Sequence, residues 1–318
     1  MTDQPPITSR TPQEVAAALR ESITAAVRGK QTVVDLALAT LLAGGHLLVE
    51  DLPGTGKTLL AKSLAASIGG RFGRVQCTPD LLPTDITGTS VFRPDTGEWQ
   101  FRAGPIFGNV VLVDEVNRAS PRTQAALLEP MEEHQVTVDG TTWSLPVPFF
   151  CVATQNPFGQ IGTFPLPESQ LDRFALVLSL GLPDRAAERE IVTGAGGADV
   201  LPSLQAVSSP EEVAACIGAT ARTHCDDKVV EYVLDLAEAT RSDARLTQGA
   251  SPRASSGLLH LARGHAVVAG RDYVTPDDVQ AVLVGALSHR VAVAGRVDTA
   301  AAAEVLGWML AQVPVPRP

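Results

Sequence analysis

No stretch of about 18 consecutive apolar residues occurs anywhere in the 318-residue chain, so no segment reads as a membrane-spanning helix. The first ten residues are polar and Pro-rich, with no cationic start running into an apolar stretch, which predicts no secretory leader. Cysteine is scarce: Cys77, Cys151, Cys216 and Cys225 fall at no metal-ligand or disulfide-framework spacing. A chain of this size needs no staples, and reduced thiols in a cytoplasmic setting are the expectation. Basic charge is also short. With 25 Lys and Arg against 35 Asp and Glu, the net charge of −10 removes the long-range attraction to phosphate backbones and disfavours nucleic acid as a partner. Neither a His-Glu-x-x-His nor a Cys-x-x-Cys pair is present, and His260 and His265, five apart on an expected helix, do not share a face. Fixed-period repeats and low-complexity tracts are absent as well.

What is there supports buried cores: 45% of the residues are hydrophobic, enough for one large domain or two ordinary ones. Thr11-Pro12-Gln13-Glu14 has the N-cap, Pro and Glu of a capping box and predicts a helix to about Val27. A second helix is expected over 31–42, closed by Gly44-Gly45. Short apolar runs at 46–50, 72–77, 109–113, 149–153 and 176–180 read as strands, and the helical pattern over 58–68 joins the first two in a βαβ unit. The spacing predicts a parallel five-stranded sheet in an α/β fold. Two stretches, 91–101 and 135–143, read as inserted β-hairpins, the second around an Asp139-Gly140 type I′ turn. After Gly181-Leu182-Pro183 the strands give out, and Ala-rich helices are expected around 184–194, 209–221, 227–240, 252–268, 276–289 and 298–312. The expected organisation is a flexible N-terminus over 1–10, an α/β core over 11–183 and an all-α domain over 184–318.

The strongest chemical signal follows the first strand: Asp51-Leu52-Pro53-Gly54-Thr55-Gly56-Lys57-Thr58-Leu59. Glycines 54 and 56 let the backbone turn its N–H groups toward phosphates, Lys57 can reach the β- and γ-phosphates, and Thr58 can hold Mg²⁺ where a helix begins. Asp51 stands where the general P-loop pattern has its first glycine. The bland alternative is a Gly-rich turn with no ligand. A second apolar strand ends in adjacent carboxylates, Asp114 and Glu115, which beside a P-loop suit ordering of the Mg²⁺ shell and activation of water respectively. A third ends at Asn156, which either senses the water and γ-phosphate or merely shapes the Asn156-Pro157 turn; the convergence of strand tips on ligands favours the former.

These strand tips and the helical tail resemble an AAA+ ATPase, and the wording is closer still to the MoxR family. The resemblance rests on Glu50 through Thr58, on the segment Gln76-Cys77-Thr78-Pro79-Asp80-Leu81-Leu82-Pro83-Thr84-Asp85-Ile86-Thr87-Gly88, on Asp114-Glu115-Val116-Asn117-Arg118-Ala119, on Ala153-Thr154-Gln155-Asn156-Pro157, on Leu166 through Phe174 and on Gly249-Ala250-Ser251-Pro252-Arg253-Ala254. It implies an AAA+ core followed by a helical lid, with ATP and Mg²⁺ as ligands. Arg173 is then the arginine finger reaching a neighbouring subunit's γ-phosphate, with Arg118, Arg102 and Arg122 as rivals. Arg253 is the sensor 2 residue reaching its own subunit's nucleotide. The stretch 27–31 lies where the family wraps adenine, although a glycine at a helix end needs no ligand to explain it. The two hairpins resemble the helix-2 insert and the pre-sensor 1 hairpin. The partners implied are further copies of the chain in a hexameric ring and a client protein, one with a von Willebrand factor A domain. A guanine-reading Asn-Lys-x-Asp is absent, which favours ATP. Two rival readings are a nucleotide-gated scaffold without turnover and a DNA-acting ring.

Overall fold

Five of the apolar runs become one parallel sheet. In the computed structural model, which describes residues 10–156, 162–295 and 297–316, the nine strands of the first half are β1 (Leu47–Glu50), β2 (Phe72–Gln76), β3 (Gly88–Arg93), β4 (Glu98–Ala103), β5 (Val110–Asp114), β6 (Gln135–Val138), β7 (Thr141–Ser144), β8 (Phe150–Gln155) and β9 (Leu176–Leu178). The sheet has the order β2-β5-β8-β1-β9 with every neighbouring pair parallel. All five strands therefore end at the same edge. This edge is where an open α/β sheet meets its ligands.

Period-two alternation sorts each strand's side chains between two apolar layers. Leu47, Val49, Val110, Leu112, Phe150, Val152, Leu176 and Leu178 enter one cluster, while Leu48, Val111, Val113, Cys151, Ala153 and Val177 enter the other. Because both faces are covered, these strands read as continuous apolar runs. The first layer is filled by the helices Pro12–Ala26, Gln31–Leu42 and Lys57–Ser67 together with helices of the second half. The opening capping box forms as its residues predict: Thr11 Oγ1 accepts from the Glu14 N–H, and Glu14 Oε2 accepts from the Thr11 N–H at 2.7 Å. Of the expected flexible N-terminus only Arg10 is among the described residues. It is tied down, with Nε 2.9 Å from Glu212 Oε1 and Nη2 donating to the Val207 carbonyl.

Both hairpins are present as insertions outside the main sheet. β3 pairs β4 and β6 pairs β7, antiparallel in each case. Asp139 and Gly140 at the second tip have φ of 51° and 77°, the doubly left-handed geometry a type I′ turn requires. The hairpins also touch each other: Phe101 stacks on Trp143 with centroids 4.5 Å apart and an interplanar angle of 14°.

The second half holds the helices Arg185–Val192, Pro210–Thr220, Asp227–Ser242, Pro252–Val268, Pro276–Leu287 and Thr299–Leu310. It is not purely helical. Strands β10 (Leu246–Gln248) and β11 (Ala292–Val293) form a small antiparallel pair, which corrects the all-α expectation. Runs of two and three residues carry no period from which a strand can be read. Nor does this half bury a core of its own. Its side chains share a layer with the sheet, and Gly264 lies so near the helix Gln31–Leu42 that a Cβ there would stand 2.2 Å from the Ala39 carbonyl oxygen.

Candidate functional site

The loop between β1 and the helix Lys57–Ser67 is shaped by two glycines. Gly54 and Gly56 have φ of 86° and 100°, values that side chains rarely tolerate, and no atom would crowd a Cβ at Gly54, so backbone conformation alone calls for glycine there. Gly56 is the N-cap of the helix, which leaves the first-turn N–H groups pointing into the loop. Lys57 folds back over it, with Nζ 2.6 Å from the Leu52 carbonyl and 3.0 Å from that of Asp51.

Asp51, the departure from the general pattern, has a structural task. Its Oδ1 accepts from the Leu52 N–H and its Oδ2 from the Gly181 N–H, each at 2.8 Å. A glycine could make neither bond. The carboxylate ties the start of the phosphate loop to the Gly181-Leu182-Pro183 connection into the helical half.

The tips of β5 and β8 arrive beside this loop. Asp114, almost fully buried, has Oδ1 2.8 Å from the Thr154 hydroxyl and Oδ2 2.9 Å from Arg74 Nη2. Thr154 Oγ1 in turn accepts from the Glu115 N–H at 2.9 Å. That hydroxyl, fully buried, thus bridges the two acidic residues. Glu115 sits in the left-handed region at φ 55°, ψ 50°, an uncommon conformation for a non-glycine residue and one that clusters at functional sites. Its Oε2 lies 2.9 Å from Arg118 Nη1 in the same turn, so the rival arginine Arg118 has a partner within its own chain. Arg102 lies on β4, and Arg122 is exposed on the short helix Pro121–Ala125. Cys77, next to the carboxylates, is pushed up to about 12 by burial and then by the charges of Asp114 and Glu115. Its thiol stays protonated, which removes cysteine nucleophile chemistry from the site.

One cavity of about 560 Å³ joins these parts. Asp51, Pro53, Gly54, Thr55, Gly56, Lys57, Thr58 and Leu59 line it, together with Asp114, Glu115, Thr154 and Asn156. Ala26, Val27, Arg28, Lys30, Pro183, Ile191 and Leu201 line it as well. The lining therefore combines loop amides and Lys57 with the apolar side chains of Ala26, Val27, Pro183, Ile191 and Leu201, the mixture a nucleoside triphosphate needs. Gly29, in the same stretch, has φ 68° at the end of its helix and packs against Ala187. Asn156 lines the cavity, and its carbonyl accepts from Asn117 Nδ2 at 3.3 Å. The turn expected after it falls at 157–161, outside the described residues.

Arg173 and Arg253 are brought together, but not here. Neither lines the cavity. Arg173 pairs with Glu132, while Arg253 lies 3.3 Å from Asp172 and 3.8 Å from the same Glu132. In this structure Arg253 does not reach the cavity of its own chain. Ser251 caps the helix Pro252–Val268 so that Arg253 falls in its first turn, and that helix end meets the 168–174 segment rather than the phosphate loop.

Thr154, Arg74, Glu132 and Asp172 escape a reading from sequence. Thr154 had a signal, being a hydroxyl in an otherwise apolar strand two residues before Asn156. The other three owe their roles to partners far away in the chain. Thr154→Val keeps the shape but leaves the Glu115 N–H without its partner and Asp114 Oδ1 without its donor, at a cost of about 1–3 kcal/mol. Turnover is expected to fall roughly tenfold or more with nucleotide binding retained, since each ~1.4 kcal/mol lost from transition-state stabilisation is tenfold in rate. Steady-state kinetics alongside equilibrium nucleotide binding checks this.

Comparison with known proteins agrees with this geometry. The family model described as "ATPase family associated with various cellular activities (AAA)" matches residues 46–176, and a model for the AAA lid domain matches 238–306. The chain is 45% identical over 271 residues to the uncharacterized protein YeaC of Bacillus subtilis, covering 85% of each. To chaperone MoxR1 of Mycobacterium tuberculosis it is 40% identical, covering 83% of this chain and 72% of that protein. A crystal structure from Cytophaga hutchinsonii described as "a putative ATPase" superposes with a TM-score of 0.85 at 32% identity, covering 96% of both chains. An α/β P-loop core, a lid behind it and relatives of this identity and coverage have one reading: the chain belongs to the MoxR family of AAA+ ATPases.

Proposed function

We propose that this ATPase hydrolyses Mg²⁺-ATP at the interfaces of a hexameric ring and uses the cycle to remodel or mature a client protein, one carrying a von Willebrand factor A domain. The observation that carries the ring is the separation of parts: the phosphate loop and both acidic residues line one cavity, whereas Arg173 and Arg253 stand together away from it. Two cations on one face suit the cavity of the next subunit, and both then act in trans.

Within the cavity, Gly54 to Thr58 would bind the phosphates through backbone N–H groups and Lys57, and Leu59 continues the contact. The apolar side chains of Val27, Ile191 and Leu201 would take the adenine. Thr58 and Asp114 would hold Mg²⁺. Both are hard oxygen donors that line the cavity, which suits an ion that keeps water and phosphate ligands. When bound, the ion neutralises charge on the phosphates. Glu115 takes the proton of the attacking water, and Asn156 orients that water against the γ-phosphate. Arg173 stabilises the transferring phosphoryl from the neighbouring subunit.

The two hairpins, joined by the Phe101 and Trp143 stack, are the elements that would carry motion to the client. The client class rests on the family resemblance alone, and the chaperone name of the Mycobacterium tuberculosis relative supports only the broader reading of action on another protein. A cytoplasmic site of action belongs to the same proposal; no helix among the described residues is long and apolar enough to cross a membrane. The Glu115→Gln protein held with ATP is expected to run as a hexamer in native mass spectrometry and to retain a purified protein with a von Willebrand factor A domain. A monomer that binds ATP and retains no such protein would end this reading.

A further inference from the structure

We infer that Arg290 and Asp172 are positioning residues for the finger: a clamp from the helical half fixes the turn that presents Arg173. The inference rests on the reading of Arg173 as a trans residue.

Arg173 follows a four-residue helix, Glu168–Leu171, far too short to hold a side chain in place by itself. The turn is held from outside. Arg290, just past the helix Pro276–Leu287, has a side chain only 7% exposed. Its Nη2 donates to the carbonyls of Asp172 at 3.1 Å and Phe174 at 3.0 Å, the two residues flanking Arg173. Its Nε lies 3.0 Å from Asp172 Oδ1, an ion pair without hydrogen-bond alignment. His289, fully buried beside it, places Nε2 2.8 Å from the Phe174 carbonyl, and since a carbonyl only accepts, that nitrogen carries the proton.

A guanidinium taken out of water must find acceptors for its donors, and here those are the Asp172 and Phe174 carbonyls of the finger turn and the Ala286 carbonyl of its own helix, with the Asp172 carboxylate as counter-charge. Asp172 then does two things. One oxygen faces Arg290, and the other lies 3.3 Å from Arg253. Glu132 completes the arrangement by pairing with Arg173 and lying 3.8 Å from Arg253. Both presented cations are thus referred to one buried arginine of the helical half. Any displacement of the end of the helix Pro276–Leu287 moves the finger turn with it. Phosphoryl transfer is sensitive to such placement, a 1 Å error costing on the order of 100-fold.

The test uses the full-length chain carrying Asp172→Asn or Arg290→Met, each alone and then mixed with Lys57→Ala subunits, with Arg173→Ala as the reference donor defect. If the clamp acts through the finger, each variant binds ATP as the parent does and loses kcat roughly 100-fold with little change in KM. Mixing with Lys57→Ala, whose finger is intact, restores part of the turnover, as it does for Arg173→Ala. Rescue of Arg173→Ala without rescue of Asp172→Asn overturns the clamp and leaves the trans reading standing. Failure to rescue Arg173→Ala overturns the trans reading, and the clamp with it. Should Arg290→Met fail to fold by circular dichroism, Asp172→Asn, which keeps the shape and the carbonyls, decides the matter.

Discussion

Replacing Glu115 by Gln is expected to lower steady-state phosphate release by roughly 10²–10⁴-fold, the contribution typical of a positioned general base, and to leave ATP binding unchanged. The amide keeps the size of the side chain and the backbone bond from the Glu115 N–H to Thr154, so the strained turn retains its support. The ion pair with Arg118 is lost, but both side chains are partly exposed, and such a pair contributes under about 1 kcal/mol. The fold should therefore hold while the proton acceptor disappears. A phosphate-release assay beside equilibrium binding of ATP separates the two, and parental turnover in the variant would remove Glu115 from the mechanism.

Arg173→Ala is expected to cost more, about 10³–10⁵-fold in kcat, the range for an arginine that meets the transferring phosphoryl. Within its own chain Arg173 touches Glu132 and takes no part in lining the cavity. Truncating it should leave ATP binding by the same subunit intact. The loss has to come from the neighbour, and this gives two distinctive signatures. Parental turnover per subunit should fall on dilution below the concentration at which rings assemble, and Arg173→Ala should regain activity when mixed with Lys57→Ala. A variant with parental kcat would point instead to Arg118, Arg122 or Arg102.

Much of this molecule was legible in its residues because the signals are local. The phosphate loop is nine consecutive residues, and its glycines answer a backbone need at Gly54 and Gly56 that no other residue meets as well. The strand tips are equally local: an apolar run ending in Asp114 and Glu115, another ending in Asn156. Burial on both faces makes such runs visible without knowledge of their neighbours. Capping residues marked helix starts at Pro12, Pro210 and Pro276, and Asp139-Gly140 marked a turn that forms as expected.

Contacts between residues distant in the chain leave no such trace. Nothing periodic relates Thr154 to Asp114, 40 residues earlier, or Gly181 to Asp51, 130 residues earlier, yet these bonds hold the acidic pair and explain the aspartate at the loop's first position. Arg253 shows the same limit most sharply. Its place near the start of a helix follows from the one expected around 252–268, but which way that helix end points depends on how the second half packs on the sheet. By itself the sequence determined the chemistry available at the nucleotide cavity. Only the tertiary structure decided which arginines stay out of it, because direction in space is settled by packing and not by order along the chain.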